Sequence, residues 1–270
     1  MKEYLRQLMR QEAGGLIREY LVREYLQARI LESLQDHGVF LRWAFLGGTA
    51  LRFLYSIPRF SEDLDFSLIT AGEETRFGEV MAKVKRTLER EGYQLEIKVR
   101  GGKTVASAMV GFTGLLYELG LSPHVHQKLS VRIEVDTNPP AVAVLETTIV
   151  RRHVTLNLCH YDRASLLAGK LHAVFGRPWT KGRDLFDLAW YLAERTWPGP
   201  NLALLNAALS QTGWTGPAMT AANWRRQAWK RLASLDWERA REDVRPFLER
   251  ERDLDLVSAE TLGQLLLEAG

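Results

Sequence analysis

The run Phe45-Leu46-Gly47-Gly48-Thr49-Ala50-Leu51, followed by Arg59-Phe60-Ser61-Glu62-Asp63-Leu64-Asp65-Phe66, decides how this chain is read. Trp43 to Leu46 is a short apolar run that predicts a buried strand. Gly47-Gly48 breaks it, and Thr49 to Tyr55 predicts a helix with Thr49 as its N-cap and Pro58 beyond its end. Glycines let a backbone approach a phosphate closely. A helix start offers unpaired N–H groups and a positive dipole end to an anion. Leu64 to Leu68 returns to strand, and alternate strand residues share a face, so the carboxylates of Asp63 and Asp65 point the same way. Two like charges so placed repel each other, and a divalent cation relieves the repulsion. Mg²⁺ prefers such oxygen ligands and keeps positions open for phosphate oxygens.

Working outward, four strand-like runs follow at 94–100, 104–112, 127–136 and 141–149. The third alternates cleanly, with Leu129, Val131, Ile133 and Val135 on one face and Ser130, Arg132, Glu134 and Asp136 on the other. It offers a third acidic position, Glu134 by its Ile-Glu-Val context or Asp136 as its rival on the same face; either could instead be a solvent-facing acid paired with Arg132. Carboxylates on two neighbouring strands can hold two metals and stabilise both the attacking and the leaving oxygen of an in-line phosphoryl transfer. The chemistry this points to is metal-dependent transfer from a nucleoside triphosphate.

The motif set resembles the nucleotidyltransferase superfamily that includes DNA polymerase β. More closely, it resembles the AbiEii/AbiGii toxin family, the toxin half of type IV toxin–antitoxin systems. The first family block stands here as Gly47–Arg52 and Arg59–Phe66, and a second as Leu167–Ala173, Arg177 and Arg183–Leu188. The likeness runs in matching order over about residues 20 to 190 and is loose after about 195.

The resemblance implies that Gly47, Gly48 and Thr49 line a triphosphate, that Asp63 and Asp65 hold Mg²⁺, and that Lys170 contacts the triphosphate. It makes Asp184 the essential acid of the helical half, supported by Asp187, and places Arg183 with the nucleotide contacts. Ser61 reads either as a local turn residue or as a phosphate contact. The cofactors implied are two Mg²⁺ ions, with Mn²⁺ as a substitute. The substrate is a nucleoside triphosphate, with a tRNA 3′ end as acceptor and a cognate antitoxin as partner. Asp184 or the third strand acid would activate the acceptor hydroxyl. An enzyme of the same fold acting on a protein or an antibiotic, and a nucleotide-binding regulator without turnover, are the alternatives.

An isolated Asp-x-Asp carries little weight. Asp253-Leu254-Asp255 has the same spelling without a Gly-Gly turn before it, and reads as an acidic pair at a helix entry. Trp224, Arg225, Arg226, Trp229, Lys230 and Arg231 carry four positive charges and no acid, which suits single-stranded RNA by stacking and charge. The same pattern also fits an amphipathic helix that buries its tryptophans.

The 270 residues carry 36 Lys plus Arg and 33 Asp plus Glu, a net charge of +3, with 46% apolar types. That is ordinary globular usage and excludes a disordered tail, a collagen or a disulfide scaffold. The single Cys159 cannot form an internal disulfide and excludes a multi-Cys zinc site. No apolar run is long enough for a membrane span, and the charged start does not read as a signal peptide, so a cytoplasmic protein is expected. The expected fold is α+β, with a polymerase β-like nucleotidyltransferase core of mixed sheet and flanking helices over 1–155. A helical domain over 156–270 is expected to complete the active-site groove.

Overall fold

The computed structural model describes residues 2–10, 14–102, 104–177, 179 and 181–267. Two compact units emerge from the chain. The first comprises Met1–Ser56, Phe60–Pro139 and Thr147–His160, and the second Ile57–Arg59, Pro140–Glu146 and Tyr161–Gly270. The second unit therefore takes Ile57 and Pro58 from between the two halves of the diagnostic motif, and Arg59 from the start of the second half.

In the first unit the order is α1 (Lys2–Arg10), α2 (Gly15–Asp36), β1 (Trp43–Leu46), α3 (Gly47–Tyr55), β2 (Asp63–Leu68) and α4 (Phe77–Arg90). It continues with β3 (Leu95–Arg100), β4 (Val105–Thr113), α5 (Leu115–Glu118), β5 (Lys128–Asp136), β6 (Leu145–Arg152) and β7 (Val154–Tyr161). Among the described residues these strands form one mixed sheet in the order β3-β4-β5-β2-β1-β7-β6. β2 runs antiparallel to β1 and parallel to β5, so the strand carrying Asp63 and Asp65 is central and has a partner on each side.

The core forms where β1 and β2 put aromatic side chains on one face. Phe45 and Phe66 lie 5.3 Å apart, and Trp43 lies 5.7 Å from both Phe66 and Phe77, the first residue of α4. Alternation on β5 is as expected, with Leu129, Val131, Ile133 and Val135 all buried. α2 buries more than one face. Val22, Leu26, Ile30 and Leu34 are buried as well as Tyr25 and Leu31, because α1, α4 and β5 all pack on this helix.

Two local expectations change. α3 begins at Gly47, two residues before the expected start, and Thr49 does not cap it. Its hydroxyl donates instead to the Asp63 carbonyl at the start of β2. The last expected strand at 141–149 shifts to β6, beyond Pro139-Pro140. A turn at His153, with φ 61°, then reverses the chain into β7. Cys159 lies half-buried in that strand, and burial pushes its thiol pKa up.

The second unit is helical: α6 (Arg163–Gly176), α7 (Gly182–Ala193), α8 (Leu202–Gln211), α9 (Trp224–Leu232), α10 (Trp237–Val244) and α11 (Ala259–Leu267). Asp162 caps α6 by accepting from the Ser165 N–H at 2.8 Å, and Asn201 caps α8 by accepting from Leu204 at 3.0 Å. α7 and α10 approach closely enough that a Cβ at Gly182 would strike the Ala240 carbonyl. No described helix is long and apolar enough to cross a membrane.

Candidate active site

The strand-to-helix turn is built around one carboxylate. Gly47 has φ +82°, a left-handed conformation that glycine adopts without penalty. A Cβ there would collide with the Asp65 carboxylate, because Leu46 and Asp65 are register partners across β1 and β2. The glycine is thus required by the acid as well as by the turn. Thr49 fixes the other end of the pair through the Asp63 carbonyl. Two motif residues therefore position the two aspartates.

The parallel register between β2 and β5 brings in the third acid. Asp63 lies opposite Arg132, Asp65 opposite Glu134, and Ser67 opposite Asp136. Asp63, Asp65 and Glu134 consequently share one face and one neighbourhood. Asp136 lies a step further along, where its Oδ1 accepts from the Asn138 N–H at 2.9 Å and holds the turn after β5. Arg132 stands between two of the acids, with Nε 3.9 Å from Asp63 and Nη1 3.7 Å from Glu134. These are loose contacts, and the three side chains are 37–49% exposed. Ser61 contributes its carbonyl, which accepts from Gln27 at 3.0 Å, and its neighbour Glu62 pairs with Arg23 at 3.2 Å.

The helical unit holds the residues of the second block in a chain of alternating charges. Arg59 donates from Nε and Nη2 to the two oxygens of Asp187, at 2.5 and 2.6 Å. Lys170 Nζ lies 2.6 Å from Asp187 and 3.3 Å from Asp184. Asp184 also pairs with Arg177. Asp187 is fully buried and Arg59 is 2% exposed. Burial alone would push the Asp187 carboxyl up, but the flanking Arg59 and Lys170 outweigh it and hold its pKa below the usual range. Burial likewise works against the Lys170 ammonium, and Asp187 and Asp184 overcome it, so the Lys170 pKa is raised.

Arg183 stacks its guanidinium 4.2 Å from the Phe247 ring. On α9, Trp224 is 4% exposed and lies under Arg225, which donates to the Leu265 carbonyl at 2.8 Å. Arg231 donates to the Arg177 carbonyl at 2.7 Å. Trp229 packs against Gly263. Arg226 and Lys230 are the exposed cations of this helix. The sequence reading missed Arg59 as the partner of Asp187. The two lie 128 positions apart, and only the recurrence of Arg59 within a motif hinted at a role.

A family description, the nucleotidyl transferase AbiEii toxin of type IV toxin–antitoxin systems, matches residues 29–259. The chain belongs to this family. No curated protein sequence matches it. Among solved structures, JHP933 from Helicobacter pylori superposes with a TM-score of 0.55 at 18% identity, covering 93% of each chain. A candidate nucleotidyltransferase from H. pylori superposes with a TM-score of 0.51 at 18% identity, covering 92% of this chain and 95% of that one. At that identity the likeness is one of fold.

A metal is implied by the AbiEii family's chemistry, and the donor set suits one. Three carboxylates on one sheet face supply hard oxygen donors in excess of the single Arg132 beside them. Among the described residues, no group of three or more acidic, imidazole or thiol side chains is placed to hold a metal ion as it stands. Asp63 and Glu134 instead lean on the half-exposed Arg132, a partner that a divalent cation can displace.

Proposed function

We propose that this AbiEii-family chain moves a nucleoside monophosphate from a nucleoside triphosphate to an acceptor hydroxyl, with Mg²⁺, and that the acceptor is a tRNA 3′ end. In this reading it is the toxin of a pair with a cognate antitoxin. The observation that carries the chemistry is the position of Asp65, with Gly47 kept bare on one side of it and Glu134 in register on the other.

Asp63, Asp65 and Glu134 would hold the metal, which when bound supplies positive charge to the triphosphate oxygens. Gly47, Gly48 and the backbone N–H groups at the start of α3 receive phosphate oxygens. The Thr49 hydroxyl is already committed to Asp63. Lys170 keeps one donor beyond the two that face Asp184 and Asp187. Asp184 is held by Lys170 and Arg177, so a strand acid is the better candidate to accept the acceptor's proton. With the acceptor oxygen bonded to the α-phosphorus, pyrophosphate departs. Arg226 and Lys230 are the α9 cations left to meet an RNA backbone.

The test is to incubate purified protein with Mg²⁺ and each labelled triphosphate against total RNA, total protein and a panel of small molecules. Label in tRNA, lost in Asp63→Ala, is the expected result. Label in protein or small molecule alone would replace the acceptor. No label anywhere with any triphosphate would overturn the enzymatic reading.

A further inference from the structure

Outside the acid face, the first unit carries a second constellation that the transfer chemistry above does not use. Glu24, on α2, is 3% exposed and accepts from four donors. These are Arg52 Nε at 2.6 Å, Arg152 Nε at 2.7 Å, Arg152 Nη2 at 3.1 Å, and the His153 ring at 2.9 Å. Burial would push the Glu24 carboxyl up, but His153, Arg52 and Arg152 together hold it far below the usual carboxylate range, so it is an anion.

An ionised carboxylate only accepts hydrogen bonds, so the His153 Nε2 facing it carries the proton. In the neutral ring Nδ1 then presents a lone pair, and the Tyr4 hydroxyl lies 3.0 Å from it. The order hydroxyl, imidazole, carboxylate is the arrangement that activates a nucleophile, with the ring as base and the acid orienting the ring. His153 is held for this at φ +61°, an unusual conformation for a residue with a Cβ.

The hydroxyl is also reachable. Tyr4 is 40% exposed and borders a cavity of about 340 Å³ lined by Tyr4, Tyr25, Arg29, His153 and Val154. That volume is at the low end of the roughly 300–1,000 Å³ of small-molecule sites. Arg29 binds Glu32 and Glu91 through its two terminal nitrogens, at 2.5 and 2.6 Å. Its buried Nε has no hydrogen-bond partner among the described residues. A phenol on the cavity, a base behind it and the positive charge of Arg29 in the cavity wall together suit the arrival of a phosphoryl group.

We infer that Tyr4 is itself an acceptor of nucleotidyl transfer, so that the chain modifies its own kind at this hydroxyl. The inference rests on the transfer chemistry proposed above. The Tyr4 oxygen bonds to the α-phosphorus of a nucleoside triphosphate. The bond from that phosphorus to the bridging oxygen breaks, pyrophosphate leaves with the electron pair, and the phenolic proton passes to His153 Nδ1. The product is a phosphodiester on Tyr4 that removes the Tyr4–His153 hydrogen bond.

The experiment incubates the full chain with Mg²⁺ and each nucleoside triphosphate, in the presence of total RNA, and reads intact mass, peptide maps and RNA label from the same tube. The expected result is a gain of one nucleoside monophosphate that maps to Tyr4. Tyr4→Phe abolishes that gain and leaves RNA labelling unchanged. His153→Gln slows the gain by about 10²–10⁴-fold, the ordinary contribution of a general base. RNA labelled while Tyr4 stays unmodified, or a gain that maps elsewhere, overturns this inference and leaves the proposed function standing. No label on either RNA or protein overturns both.

Discussion

The acidic face of the sheet and the ion-pair chain of the helical unit use the same residue types in opposite ways. On the sheet, Asp63 and Glu134 are 38% and 37% exposed, and each lies more than 3.5 Å from a half-exposed Arg132. In the helical unit, Asp187 is fully buried and gripped through both oxygens by Arg59, with Lys170 at 2.6 Å. Exposed pairs at such distances contribute about 0–1 kcal/mol and are easily exchanged for another cation. A buried, bidentate pair cannot be exchanged, because loss of either partner strands a charge in the interior. Loose pairing leaves an acid exchangeable between cations. Tight pairing marks those that fix the fold.

The comparison makes opposite forecasts for substitutions in the two regions. On the proposed function, Asp63→Asn should reduce transfer by about 10³-fold, since a charge that would hold the metal is lost. Its unfolding free energy should stay within about 0.5 kcal/mol of the parent, as for other part-exposed sites. A large stability loss there would erase the distinction. Asp187→Ala should do the reverse, costing about 3–5 kcal/mol in denaturant unfolding as buried Arg59 loses its bidentate carboxylate and Lys170 keeps only the more distant Asp184. A cost under about 1 kcal/mol would show that the chain of charges is not what holds the helices.

The pH dependence follows from the same pairs. Asp187 and Glu24 have lowered pKa values in the folded state, so their contribution is complete above the unfolded carboxylate range, near pH 4. It fades as pH falls through the lowered folded values. Lys170 has a raised value, so its share is complete below the unfolded lysine range and fades as pH rises through the raised value. Unfolding followed between pH 5 and pH 2 should therefore lose stability more steeply in the parent than in Asp187→Asn.

Smaller effects sharpen the picture. Gly47→Ala would place a Cβ against the Asp65 carboxylate at a positive φ, and should lower transfer by about 10²-fold through misplacement of that acid. Smallest of all, replacing Arg226 and Lys230 together with Ala should weaken RNA binding and flatten its salt dependence by about 2 units of slope at most, with no change in stability. A large fall in stability would place these side chains in the fold instead.

Much of this was legible in the chain itself, and the exceptions have physical causes. The Gly-Gly break after β1, the shared face of Asp63 and Asp65, and the alternation of β5 all follow from local geometry. Glu134 and Asp136 share a face by the same two-residue period, so periodicity could not separate them. Only the register of β5 on β2 distinguishes the acid beside Asp65 from the acid beside Ser67. Arg59 and Asp187 meet across 128 positions, beyond the reach of any spacing rule. The Thr49 hydroxyl was open to two partners, the helix it could cap and the Asp63 carbonyl it bonds. Trp224 looked available for stacking because composition does not report burial.

The central claim is that the loosely paired acids exist to hold a metal-bound triphosphate. Thermal unfolding of the parent chain and of Asp63→Asn, each with and without Mg²⁺ and a nucleoside triphosphate, tests it most directly. A ligand at 100 times its dissociation constant adds about 2.7 kcal/mol to the folded state. The account predicts a raised melting temperature for the parent with Mg²⁺ and triphosphate together, and none for Asp63→Asn. An equal shift in both proteins would contradict it.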